Sequence, residues 1–137
     1  MRLGSLLLVG ACFDPSGPQR AEDASILEYE DNGQMISVPD TVALGERFEV
    51  NITTYGRGCD AQGNDYLSTP NDSSVFIQPS DLFLLAGESC NGSLQQFEHV
   101  VSLLAGRAGQ LQVRVDGYSV IGSVIGAVAS VQFVTVR

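Results

Sequence analysis

The chain contains no lysine and no tryptophan, one histidine, and an odd number of cysteines, three. Each scarcity excludes something. Without lysine there is no Schiff-base chemistry. With His99 as the lone imidazole, multi-histidine metal sites are out, and any Ser-His-Asp or Cys-His device has to use that residue. All seven basic residues are arginine, set against 16 acidic residues, for a formal charge of −9. That balance leaves nothing to neutralise a run of phosphates, so nucleic acid is excluded as a partner. Charged residues make up only 17% of the chain and hydrophobic ones 44%, which is too apolar for a disordered segment. The length, 137 residues, suits one domain.

Met1 and Arg2 form a minimal basic start, Leu3 to Val9 is mostly apolar, and Gly10 and Ala11 precede Cys12. A basic start, an apolar stretch and small residues describe an export signal. The run Val9-Gly10-Ala11-Cys12 resembles the lipobox of bacterial lipoproteins, an aliphatic residue and two small residues before an obligatory cysteine. The resemblance implies cleavage after residue 11 and lipidation of Cys12, which would anchor the protein in the cell envelope, facing periplasm or exterior. Two or three acyl chains hold a protein to a bilayer durably where one does not. Residues 1–11 are thus read as signal peptide and 12–24 as a flexible tether, since Phe13 to Arg20 carries two prolines and a glycine. The competing reading is a buried N-terminal strand from Leu6 to Cys12.

If Cys12 carries lipid, Cys59 and Cys90 remain as a pair, 31 positions apart. In an oxidising compartment they are expected to form a disulfide, and closing such a loop is worth about 3–4 kcal/mol. Two free or metal-binding thiols are the alternative.

The rest of the chain alternates with period two. Phe48, Val50, Ile52 and Thr54 oppose Glu49, Asn51, Thr53 and Tyr55, and Leu111, Val113 and Val115 alternate with polar residues. Phe97, His99, Val101 and Leu103 form one further face. Such alternation predicts half-buried strands, over 26–30, 34–38, 48–55, 75–79, 82–85, 96–104, 111–117 and 129–136. Asp31-Asn32-Gly33 predicts a hairpin between the first two. The polar stretch 56–74 reads as a long irregular loop fastened by Cys59. Tyr118 to Val136 is 19 residues without a charge, the length of a membrane helix. Its Val and Ile content and Gln132 favour a Gly-rich loop or bulged strand at 119–128 and a closing strand instead.

Val38-Pro39-Asp40-Thr41-Val42, followed by Gly45-Glu46-Arg47-Phe48-Glu49-Val50, resembles the opening of bacterial immunoglobulin-like domains. The runs from Gly109 to Val115 and from Val131 to Val136 are similar to their closing strands. The resemblance implies an all-β fold over 25–137, an immunoglobulin-like sandwich of seven to eight antiparallel strands without the Cys…Trp…Cys core of antibody domains. It brings no catalytic residues and no cofactor. Its implied role is to bind or space a partner, an unknown protein or glycan.

The second function class is a small periplasmic metal-binding or hydrolytic protein using His99. No G-x-S-x-G elbow supports hydrolysis. A Cys59/Cys90/His99 set supplies three ligands and needs reduced thiols. Asp60, Asn64, Asp65, Asn71 and Asp72 offer oxygens for calcium but lack the EF-hand spacing. Asn51, Asn71 and Asn91 begin glycosylation sequons, chance matches in a bacterial lipoprotein. On its strand His99 lies between Phe97 and Val101. There a buried, neutral ring with one bonded nitrogen is expected, and folding that weakens as pH falls.

Overall fold

The computed structural model describes residues 19–71, 73–85 and 92–137. The signal segment, Cys12, Asp72 and Cys90 lie outside the described residues. The described chain is all-β: β1 (Arg20–Ala24), β2 (Ile26–Tyr29), β3 (Met35–Ser37), β4 (Thr41–Val42), β5 (Arg47–Arg57), β6 (Ala61–Asn71), β7 (Ser74–Leu84), β8 (Leu94–Leu104), β9 (Gly109–Ile121) and β10 (Val124–Val136). These ten strands form one mixed, open sheet with the central path β1-β7-β9-β2-β5-β3. The expectation of seven to eight purely antiparallel strands is corrected in both respects. β4 runs parallel to β10, and β2 and β7 run parallel to β9.

The long strands share edges with several partners. One edge of β5 takes β8 along its whole length, while the other takes β3 and the start of β2. β10 pairs with β9 from Val124↔Ile121 to Val136↔Gly109. Inward residues of β5 and β8 (Phe48, Val50, Ile52, Val101, Leu103) meet those of β7, β9 and β10 (Val75, Ile77, Leu111, Val113, Val115, Val134, Val136) in one core closed by Leu27. At about 1.5–3 kcal/mol for each large apolar side chain buried, this cluster is the main favourable contribution to folding.

Four local expectations change. Asp31-Asn32-Gly33 does not join a hairpin, because β2 and β3 lie one after the other along β5 and do not pair with each other. The chain instead loops out between them through a Tyr29–Asn32 bridge, with Glu30 at φ 55°. This detour frees β2 to cross to β9. Second, Arg20–Ala24, assigned above to the tether, is a strand antiparallel to β7. Its ladder uses backbone groups, so its polar sequence gave no periodic signal. Third, much of the supposed loop 56–74 is β6, an edge strand paired with β7 and interrupted by bulges at Gln62/Asp65 and Ser68/Asn71. Edge strands tolerate charge and proline, which is why its composition reads as loop. Fourth, of the loop or bulged strand expected at 119–128 the strand is what forms, without a bulge, and it is no membrane helix. β9 and β10 continue to a two-residue connection in which Gly122, at φ 60°, takes the position that favours glycine. Among the described residues no helix is long and apolar enough to cross a membrane.

The runs 75–79 and 82–85 are one strand. Pro79 cannot donate to a ladder, but it faces the β6 bulge on one edge. On the other it sits where β7 changes partner from β9 to β1.

Candidate functional site

Period-two alternation decides what enters the interior. On β8 it turns Phe97, His99, Val101 and Leu103 inward, as expected from the sequence. On β7 it turns Val75, Ile77, Pro79 and Asp81 inward, so a carboxylate meets the only imidazole. His99 is 1% exposed and Asp81 0%. His99 Nε2 donates to Asp81 Oδ1 at 3.0 Å, and His99 Nδ1 donates to Asp65 Oδ1 at 2.5 Å. Asp65 comes from β6, and its side chain retains 28% of its surface in solvent.

Asp81 is saturated with donors. The hydroxyls of Ser25 and Thr54 both donate to Oδ2 at 2.6 Å, and the Gly63 amide donates to Oδ1 at 3.1 Å. The Gly63 approach depends on the β6 bulge: a Cβ there would stand 2.5 Å from the Ser80 carbonyl oxygen, so only glycine lets the two backbones close. The cluster therefore ties together the β1–β2 junction, β5, β6, β7 and β8.

Electrostatics follow from this geometry. Burial disfavours the charged form of His99 and is the largest single influence. The hydrogen bond and charge of Asp81, reinforced by those of Asp65, outweigh it and raise the imidazole above its ordinary 6.5. For Asp81 burial is again the largest influence and pushes upward. The bonds from His99, Ser25, Thr54 and Gly63 overcome it and hold the carboxyl below its ordinary 3.8. The expectation of one bonded nitrogen is thus corrected, and the direction of the shift runs against a neutral ring: two carboxylates, rather than one backbone group, face the two nitrogens and favour the imidazolium.

As chemistry this is a lock. Neither ring nitrogen keeps a lone pair for a general base, and the neighbouring hydroxyls of Ser25 and Thr54 point at the carboxylate, not at the ring. His99 is also no ligand available to a Cys59/Cys90/His99 metal set. Nor do the described acidic residues of the stretch 60–72, Asp60 and Asp65, converge on a shared site with its asparagines. Asp60 is buried and accepts from the amides of Arg57 (2.7 Å) and Leu84 (2.9 Å), while Asn71 accepts from the Ser73 amide (2.9 Å). Among the described residues no group of three or more His, Cys, Asp or Glu side chains is arranged to hold a metal. Cys59 lies in the turn between β5 and β6, where its carbonyl accepts from Arg20 Nε at 2.7 Å.

Sequence reasoning singled out His99, Asp60 and Asp65 but missed Asp81 and Ser25. The signal for Asp81 was present: it continues the inward series of Val75, Ile77 and Pro79. It was hidden by reading the polar pair Ser80-Asp81 as a break between strands. No protein-family model matches the chain, and no curated protein or solved structure gives a significant match.

Proposed function

We propose that the protein is a non-catalytic cell-envelope lipoprotein. In this reading an immunoglobulin-like sandwich, held to the membrane by lipid on Cys12, binds or spaces a partner. The observation that carries it is the commitment of the only imidazole: His99 is buried with both nitrogens bonded to carboxylates, which fits a scaffold better than a reaction centre. The sandwich assignment is supported by a core shared between the inward faces of β5–β8 and β7–β9–β10, and by β4 docking alongside the final strand. The anchor rests on the Val9-Gly10-Ala11-Cys12 run. Cys12→Ala should move the protein from the membrane fraction to a soluble or unprocessed form. Wild type that fractionates as soluble with Met1 retained would overturn the anchor.

A Cys59–Cys90 disulfide belongs to the same reading. Its support is the close approach of two glycine backbones: a Cβ on Gly92 would lie 2.1 Å from Gly58 N. Cys59 follows Gly58, and Cys90 stands two residues before Gly92. Thiol counting on denatured, unreduced mature protein should find no free thiol from these two. Replacing both with Ala should cost about 3–4 kcal/mol in chemical denaturation. Two reactive thiols would exclude the bridge.

A further inference from the structure

One edge of β10 is bonded along its length to β9. On the other edge, the Thr135 and Arg137 amides donate to the carbonyls of Asp40 and Val42, on the β4 side. Backbone direction alternates along a strand, so the odd-numbered residues of β10 turn their amides and carbonyls away from β9. β4 takes only Thr135 and Val136. Among the described residues, no strand pairs with this edge from Ile125 to Phe133. The same odd-numbered residues point their side chains outward: Ile125, Val131 and Phe133 are 66%, 47% and 57% exposed, and Ala127 and Ala129 are exposed between them. An open edge is a template for another strand, and proteins blunt it with charge, proline or bulges. Elsewhere this sheet does so: β1 carries Arg20, Glu22 and Asp23, and β6 carries Asp65 and two bulges. From Tyr118 to Val136 there is no charge and no proline, and β10 has no bulge.

We propose that this edge is covered by the same edge of a second copy, in an antiparallel dimer whose two-fold axis passes at Ala129. The occupant follows from length, shape and charge. Ala129 is the midpoint of the open stretch, so pairing that stretch with itself uses all of it and stops where β4 begins. Ile125 then lies opposite the partner's Phe133, Ala127 opposite the partner's Val131, and Ala129 opposite its own copy. An aromatic beside a β-branched residue is a favourable cross-strand pair, and each valine meets a small residue. The five odd-numbered residues of each copy exchange about ten backbone hydrogen bonds. Two chains of formal charge −9 meet along a seam that holds none of their acidic residues. The dimer goes beyond the envelope-scaffold reading and is independent of lipid on Cys12.

The test is sedimentation velocity of the full chain carrying Cys12→Ala, over a concentration series, which should show a monomer–dimer equilibrium. Ala129→Lys sets two ammoniums across the axis, whereas within one chain it lies opposite Asp116. It should weaken the dimer at least about tenfold, with the thermal midpoint unchanged. Val131→Pro removes an edge donor without touching the β9 ladder and should weaken it likewise. Oxidation reads the register. Ala129→Cys should crosslink to its own copy above the background of the parent chain, because Cα atoms of a hydrogen-bonded pair stand about 5.5 Å apart, within disulfide reach. Ala127→Cys and Val131→Cys, each displaced from its own copy by about 14 Å along the strand, should crosslink only when mixed. A monomer at every concentration, a dimer indifferent to both Ala129→Lys and Val131→Pro, or self-crosslinking stronger at 127 or 131 than at 129 would each overturn the proposal.

Discussion

Asp81→Ala should lower the free energy of unfolding by about 3–5 kcal/mol, as removing one member of a buried ion pair does. A domain of this size holds only about 5–15 kcal/mol in all, so the variant should stand near its folding threshold. The loss has three sources. The His99 imidazolium, 1% exposed, keeps Asp65 but is left without its buried counter-charge. The hydroxyls of Ser25 and Thr54 lose the oxygen they share, and the Gly63 amide loses its acceptor. Asp81→Asn, similar in shape, should recover part of the loss, because one oxygen still accepts. Urea denaturation of the three proteins at pH 5.5 decides the matter. A cost below about 1 kcal/mol for Asp81→Ala would mean that the buried network contributes little. A double-mutant cycle with His99→Gln should give a coupling of at least about 1 kcal/mol, as expected for residues in one network.

What the sequence disclosed follows the physics of each element. β8, the first halves of β5 and β9 and the second half of β10 alternate because one of their faces is buried in an apolar core. Their inward residues, His99 among them, were legible before any coordinates. β1 and β6 were not, because they are polar and rely on backbone ladders to β7. The Asn32-Gly33 pair is a sound turn signal, but a turn does not say which strands it joins. Here the neighbours of β2 and β3 are β5 and β9, which lie far along the chain. The charge state of His99 was inaccessible for the same reason. Alternation shows which way the ring faces. Only the tertiary pairing of β6, β7 and β8 shows that Asp65 and Asp81, 34 and 18 positions away, face it.

That pairing reverses the sign of a pH dependence. A histidine whose folded pKa is raised contributes stability that is complete below its unfolded value, 6.5, and is lost as pH climbs through the folded value. Asp81, whose folded pKa is depressed, contributes above its unfolded value, 3.8, and loses its contribution as pH falls through the folded one. The cluster is therefore at full strength between about pH 4 and 6.5 and weakens in alkali. A neutral buried ring would do the opposite near pH 6. Wild-type unfolding free energy, followed by urea denaturation from pH 4 to 9, should decline above neutrality. His99→Gln should cost about 3–5 kcal/mol at pH 5.5, where it leaves Asp81 buried without its cation. The cost should shrink as pH climbs through the folded value, because the wild-type ring then loses its charge as well. An NMR titration of the single imidazole should place its midpoint above 6.5. A midpoint below that value, or a His99→Gln penalty that is flat with pH, would show that the ring is neutral in the folded protein and that the two carboxylates do not hold it as a cation.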